Sequence, residues 1–270
     1  LPISISPDQP PLKLDLLKLM ELYRVPGISV AVIDHFEIDW AKGYGVTEGG
    51  TSTPLTSRTL FESGSLSKPV AAIGALALVE QGKMLLDEDD NRKLKSWQVP
   101  ENEFTREQKV TLRHILSHTA GLTIHGFPGY DVDATVPTVV QILNGEPPAN
   151  TAPVRVETVP GTKWSYSGGG TVIAQQLMED ISGRPFPQLM HEIVFDRLGM
   201  DDSTYEQPLP TERHAMAAGG TLWNGATVHG KWHIYPEMAA AGLWSTPSDL
   251  ARLLIEIALS QKGSANHILS

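Results

Sequence analysis

A run of three serines and a lysine lies directly ahead of a strongly apolar segment. Within it, Ser65 and Lys68 are three positions apart. If Ser65 lies at the start of a helix, the two side chains face the same side and are within reach of each other. A serine hydroxyl becomes a strong nucleophile when a neighbouring base takes its proton, and a lysine amine is such a base when burial lowers its pKa. The spacing therefore predicts a nucleophile and a base for acyl transfer.

A structural interpretation of the same residues stays open. The pattern Ser-x-x-Lys arises by chance in a chain of this size, with Ser65 as a helix cap and Lys68 as a solvated side chain. The chemical interpretation is favoured because residues 70–79 leave almost no polar face for a lysine. The start of a helix also offers backbone N–H groups and a positive dipole end, which favour developing negative charge.

Tyr166 is a second candidate, just ahead of the three successive glycines at 168–170. The glycines fit neither the Walker pattern nor the dinucleotide fingerprint, so we predict no phosphate site. We expect them to let the backbone pass close to another element, which leaves the Tyr166 hydroxyl free to point into a cleft. A packing role for this tyrosine is the alternative.

His114 and His118 lie four positions apart in a predicted helix over residues 111–118. On one helix face they could share a metal ion. No glutamate lies beside His114 and no third ligand is obvious nearby, so a structural role is favoured over a metal site.

Composition bounds the remaining function classes. The chain has 270 residues, of which 41% are hydrophobic and 19% charged, as in an ordinary globular protein. Its formal net charge of −10 argues against nucleic acids and anionic membranes as partners. With no cysteine, thiolate metal sites and disulfides are excluded. The chain has no run of about 18 apolar residues, so we predict no transmembrane helix.

The elements that would position these residues are a β-hairpin and a series of helices. Alternating and apolar runs predict strands over 28–33 and 38–44, joined by a turn at 34–37. Helical spacing or capping signals are found in five segments, namely 12–23, 70–80, 171–181, 186–198 and 246–259. Three turn-rich stretches are expected to rim a cleft, namely 125–130, 145–160 and 232–237.

With these residues in view, the chain resembles the serine β-lactamase and penicillin-binding-protein superfamily, specifically the class C-like branch that includes D-Ala-D-Ala carboxypeptidases and esterases. The resemblance covers nearly the whole chain. It is carried by several segments in the same order, namely the hairpin 25–44, Ser65-Leu66-Ser67-Lys68, Leu116-Ser117-His118-Thr119-Ala120-Gly121-Leu122, the Tyr166 segment, Gly242-Leu243-Trp244-Ser245-Thr246 and Asp249-Leu250-Ala251.

The resemblance implies an α+β fold in which an antiparallel sheet flanked by helices is joined to a mainly helical domain. We accordingly expect residues 1–62 to begin the α/β domain with a helix and the hairpin. Residues 63–230 would form the helical domain, with Ser65 at the interface. Residues 231–270 would return to the α/β domain.

The implied activity is a two-step acyl transfer. Ser65 would attack a carbonyl with the aid of Lys68 to form an acyl-enzyme, which water then hydrolyses, and Tyr166 would shuttle protons to the leaving group. The backbone N–H of Ser65 would be one oxyanion donor. Substrate contacts are expected from four further residues, namely His125, Gly168, Tyr235 and Trp244.

The implied substrate is a small-molecule acyl compound, whether ester, amide or β-lactam, or a peptidoglycan-like peptide. No metal or cofactor is implied, because the serine carries the covalent chemistry. Two other interpretations remain, a catalytically weak penicillin-binding or scaffold protein of the same fold and a metal-dependent hydrolase using His114 and His118.

The sequence departs from the family pattern at two points. Gly168 stands where the Tyr-x-Asn motif has an asparagine that helps to hold substrate. No lysine or histidine is followed two residues later by glycine, so the third motif, Lys-Thr-Gly or His-x-Gly, is missing from these 270 residues. Because a lone two-stranded hairpin is marginal in water, we expect a C-terminal segment of the same polypeptide to supply further strands.

The chain begins with Leu1 rather than methionine. Removal of an export signal would predict a periplasmic or secreted protein, and a trimmed cytoplasmic protein is the alternative.

Overall fold

A computed structural model describes residues 2–3, 12–13, 15–264 and 267–269. The strands are β1 (Pro2–Ile3), β2 (Leu12–Lys13), β3 (Gly27–Asp34), β4 (Glu37–Gly45), β5 (Phe61–Glu62) and β6 (Trp244–Ser245). The helices are α1 (Leu16–Leu22), α2 (Ser67–Glu80), α3 (Glu103–Glu107), α4 (Leu112–Leu116), α5 (Val139–Asn144), α6 (Gly168–Ser182), α7 (Phe186–Met190), α8 (Asp196–Leu198), α9 (Met238–Ala241) and α10 (Pro247–Gln261).

The strands form three antiparallel pairs, β1 with β2, β3 with β4, and β5 with β6. The combination of many helices with small antiparallel sheets confirms the predicted α+β class. The predicted domain boundaries stay a prediction. In the part of the chain that the structure describes, no helix is both long and apolar enough to cross a membrane.

The β3–β4 hairpin follows its sequence prediction closely, and α10 packs against it. The strands pair from Gly27 opposite Gly45 to Asp34 opposite Glu37. The turn consists of His35 and Phe36, both with positive φ, 49° and 64°. Two left-handed residues give the turn a twist that matches the strands.

Helix α2 is the central element of the main hydrophobic core. Val70, Ala75 and Leu78 have no exposed surface, as expected for a helix that is apolar nearly all round. It begins at Ser67 rather than after Pro69, because a 3-10 turn over Gly64–Leu66 leads directly into it. Proline fits within a first turn, where its missing N–H has no helical partner to lose.

Helix α6 begins three residues earlier than predicted, so the triple glycine forms its first turn. The cause is Ser167, whose side chain accepts the N–H of Gly170 at 3.0 Å and caps the helix. A Cβ on Gly169 would lie 2.8 Å from the carbonyl oxygen of Thr123. The expectation of a close backbone approach at these glycines is therefore confirmed.

Helix α4 is shorter than the predicted helix over 111–118. It ends at Leu116, and His118 has a φ of +56°. A left-handed residue cannot continue a right-handed helix. His114 and His118 consequently do not share a helix face, which corrects that expectation.

The other predicted helices differ mainly in their ends. Helix α1 starts at Leu16 because the side chain of Asp15 caps it, and the predicted residues 12–13 belong to β2. The predicted helix 186–198 is continuous but contains a π-helical turn over His191–Phe195 between α7 and α8. Thr246 caps α10 as expected, accepting the N–H of Asp249 at 3.2 Å.

Candidate active site

The site is built around the junction between the 3-10 turn and α2. Ser65 is exposed on the turn, and Lys68 is half-buried in the first turn of α2. The Nζ of Lys68 donates to the Oγ of Ser65 over 3.1 Å and to the carbonyl oxygen of Ala240 over 2.8 Å. The predicted three-residue spacing thus brings nucleophile and base into contact, while α9 holds the amine from the other side.

Tyr166 completes a cluster with these two residues. The Nζ of Lys68 lies 4.9 Å from the centre of the Tyr166 ring. Burial would raise the pKa of the Tyr166 phenol, but hydrogen bonds to Lys68 and Ser65 and the charge of Lys68 outweigh it, so the pKa is lowered. A phenol with a lowered pKa, in contact with both groups, can pass a proton between them and a leaving group.

Ser67 fixes the shape of the nucleophile turn. Its Oγ donates to the carbonyl oxygen of Gly64 at 2.5 Å and accepts the N–H of Leu243 at 3.0 Å. Its own carbonyl accepts the hydroxyl of the fully buried Tyr205 at 2.6 Å. Sequence reasoning missed this role, although Ser67, the last of the three serines and the residue directly before Lys68, was visible.

Gln175 fixes the position of α9 and hence of the Ala240 carbonyl. This buried side chain of α6 donates to the carbonyl oxygen of Pro236 at 3.2 Å and accepts the N–H of Ala239 at 3.0 Å. A polar residue amid the apolar face of α6 was the only sequence signal for this role.

Two histidines contact the segment that carries Tyr166. The Nδ1 of His125 donates to the carbonyl oxygen of Tyr166. The ring of His118 lies beside the Tyr166 ring, with centroids 4.6 Å apart. The sequence predicted a substrate contact for His125. For His118 it offered only membership of the family segment 116–122 and the alternative of a metal site shared with His114.

Three of the four expected substrate-contacting residues lie on or against the segment 125–129, whereas Trp244 lies in the interior. Gly168 is buried next to Phe127, and only His125 is exposed. Tyr235 is half-buried, and its hydroxyl donates to the carbonyl oxygen of Pro128 at 3.5 Å. The Trp244 side chain has no exposed surface and packs edge-on against Trp232 in the interior. A substrate-binding role for these residues stays a prediction.

Burial changes the ionisation of three groups close to this region. It raises the pKa of Glu62, three residues before Ser65, to about 7, and a backbone N–H of His233 only partly opposes it. It likewise raises the pKa of Glu237 to about 7. Both carboxylates add to the effect of burial on Tyr235, whose pKa is about 12. Sequence reasoning singled out neither glutamate, because an acidic side chain is expected at the surface and the sequence gives no sign that these two are buried.

The histidine pair offers little to a metal ion. The Nδ1 of His118 is already an acceptor for the N–H of Ser167, at 3.2 Å. Among the residues that the structure describes, no three histidine or carboxylate side chains are grouped as metal ligands.

Relatives of this chain carry several functional names. It is 27% identical over 260 residues to "Unguisins hydrolase ungD" of Aspergillus violaceofuscus, which covers 81% of this chain and 43% of the relative. It is 28% identical to "Penicillin-binding protein 4*" of Bacillus subtilis, over 77% of this chain and 44% of the relative. It is also 28% identical to "Esterase EstB" of Burkholderia gladioli, over 72% of this chain and 50% of the relative.

A solved structure supports the fold. The octameric penicillin-binding protein homologue from Pyrococcus abyssi superimposes with a TM-score of 0.71 and 24% identity, over 94% of this chain and 56% of that one. The present chain spans about half the length of these relatives. The family model described as "Beta-lactamase" matches residues 16–268, so the chain belongs to the beta-lactamase family.

Proposed function

We propose that this chain is a serine hydrolase that forms an acyl-enzyme on Ser65. The observation that carries the proposal is the contact of 3.1 Å between the Oγ of Ser65 and the Nζ of Lys68, with the centre of the Tyr166 ring 4.9 Å from the same Nζ. Family relatives named hydrolase, esterase and beta-lactamase support it.

In the first step, the Lys68–Tyr166 pair takes the proton of Ser65 as Oγ bonds to the substrate carbonyl carbon. The negative charge develops on the carbonyl oxygen beside the start of α2, where backbone N–H groups and the helix dipole stabilise it. When the bond to the leaving group breaks, the proton passes from Lys68 through the Tyr166 hydroxyl to the departing atom. The acyl group is then bonded to Ser65.

In the second step, water attacks the acyl carbon and gives a proton to the Lys68–Tyr166 pair. The bond to Oγ breaks, and the proton returns to Ser65 as the acid is released. The contact between Lys68 and the carbonyl of Ala240 keeps the amine beside Oγ through both steps. The substrates proposed are small esters, amides and β-lactams.

The test is covalent labelling of the purified protein. We expect a fluorophosphonate to add once, on Ser65, and to leave Ser65→Ala unlabelled. Ser52→Ala, an exposed loop serine, is the matched control and should label like the unaltered protein. With a penicillin, a lasting adduct would indicate a penicillin-binding protein and rapid turnover a β-lactamase. If the fluorophosphonate fails to label Ser65, the catalytic proposal is wrong and a binding or scaffold role takes its place.

A further inference from the structure

One residue, His118, binds the backbone on both sides of Tyr166. Its carbonyl oxygen accepts the N–H of Ser165 at 2.7 Å. Its Nδ1 accepts the N–H of Ser167 at 3.2 Å. Its ring lies against the Tyr166 ring, at a centroid distance of 4.6 Å and an angle of 42°. The position of the phenol is therefore constrained from both neighbouring residues and from one face.

The backbone of His118 is held in an unfavourable conformation to make these contacts. Its φ of +56° is in the left-handed region, which is unfavourable for residues other than glycine, asparagine and aspartate. That conformation ends α4 and turns the His118 carbonyl towards Ser165. The ring of Trp164 also packs edge-on against the His118 ring, with the two centroids 6.3 Å apart.

We propose that His118 is a positioning residue for Tyr166, acting through the Nδ1 that accepts the N–H of Ser167. The proposal rests on the proposed function, in which Tyr166 passes protons to the leaving group. A phenol displaced by a fraction of an ångström would still leave Ser65 and Lys68 in contact. Loss of His118 should therefore lower the turnover number and leave the nucleophile in place.

The required state of His118 is the neutral ring, because only an unprotonated Nδ1 accepts a hydrogen bond. Burial, and secondarily the charge of Lys68, lowers the pKa of His118 and keeps the ring neutral near pH 7. The groups that face it across the site are Lys68 and Tyr166. His125, also bound to the Tyr166 residue, differs because its Nδ1 donates to a carbonyl and keeps this bond when protonated. Acid should thus break the His118 contact alone.

The first experiment compares two substitutions in the whole protein, using hydrolysis of a p-nitrophenyl ester. His118→Asn keeps an acceptor at the Nδ1 position and tolerates the left-handed backbone, whereas His118→Phe keeps an aromatic ring and removes the acceptor. The matched controls are His35→Asn and His35→Phe, since His35 is an exposed turn residue with φ of 49°. We expect kcat to fall about tenfold or more in His118→Phe, with a smaller change in KM, and to be largely retained in His118→Asn.

The second measurement is the ratio of wild-type to His118→Asn activity as a function of pH. We expect the ratio to fall as pH drops through the lowered pKa of His118, while the ratio to His35→Asn stays constant. The pH dependence of the titrating groups that both proteins share cancels in each ratio, so the change in the ratio reports His118 alone.

The outcomes separate the two proposals. If the unaltered protein takes up no fluorophosphonate on Ser65, the proposed function fails. If it is labelled but His118→Phe loses no more activity than His35→Phe, the positioning role is overturned. The role is also overturned if His118→Asn is as impaired as His118→Phe, or if the pH ratio is constant. Should His118→Phe not fold, His118→Asn and the pH ratio still decide.

Discussion

The side-chain oxygen of Ser67 accepts the backbone N–H of Leu243 at 3.0 Å, across 176 positions of the chain. The same oxygen donates to the carbonyl of Gly64. One buried hydroxyl therefore joins the nucleophile turn to the segment between α9 and β6. Since α9 also supplies the carbonyl that holds Lys68, this bond fixes the two sides of the site relative to each other.

Ser67→Ala should destabilise the protein. The N–H of Leu243 would be left buried without its acceptor, which costs about 1–3 kcal/mol. The fluorophosphonate should also react more slowly, because the turn that holds Ser65 loses its bond. Urea unfolding and labelling rates measure the two effects, with the exposed Ser52→Ala as control. A variant with unchanged stability would contradict the structural role assigned to this bond.

Lys68→Met should remove most of the acylation activity. The methionine side chain has a similar length but cannot take the proton of Ser65. Loss of a general base typically lowers the rate about 10²–10⁴-fold. The control is Lys42→Met, because the Nζ of Lys42 also lies over an aromatic ring, 5.5 Å from the centre of Trp40, on the hairpin. Labelling rates compare the two. Equal rates in both variants would exclude Lys68 as the base.

Glu237→Gln should stabilise the protein at alkaline pH. Glu237 has no exposed surface, and burial raises its pKa from 4.5 to about 7. Between these values the folded state binds more protons than the unfolded state, so this residue lowers stability as pH rises from about 4.5 to about 7. The glutamine cannot ionise. Its advantage at pH 8 should reach up to about 3 kcal/mol and should largely disappear below about pH 4.5.

Urea unfolding at pH 5 and pH 8 tests this prediction, with the exposed Glu212→Gln as control. A stability difference between wild type and Glu237→Gln that is the same at both pH values would show that Glu237 is not the titrating group.

Sequence reasoning succeeded where the signal was local. The hairpin and α2 follow from apolar patterns within ten or fifteen residues, and the contact of Ser65 with Lys68 follows from helical spacing. It missed the contacts of Ser67 with Leu243 and of Lys68 with Ala240, which join positions 176 and 172 apart. It also misplaced the end of α4, because a histidine with positive φ carries no compositional signal.

Gly168→Asn should be poorly tolerated unless Phe127 is also changed. A Cβ at position 168 would lie 2.9 Å from Cε2 of the Phe127 ring and 3.4 Å from the carbonyl oxygen of His125. The ring thus blocks the asparagine that the family motif has at this position. We expect the single variant to lose stability, since forced overpacking costs about 1–3 kcal/mol. The double variant Phe127→Ala/Gly168→Asn should recover part of that loss.

The double variant also tests substrate choice. If the asparagine side chain then reaches the substrate, the ratio of kcat/KM for a β-lactam to kcat/KM for an ester should rise relative to Phe127→Ala alone. A thermodynamic cycle over the wild type, the two single variants and the double variant measures the coupling between positions 127 and 168. Gly126→Asn controls for the asparagine itself, because a Cβ added at Gly126 meets no atom within 4 Å. Strictly additive stabilities would show that Phe127 does not block position 168.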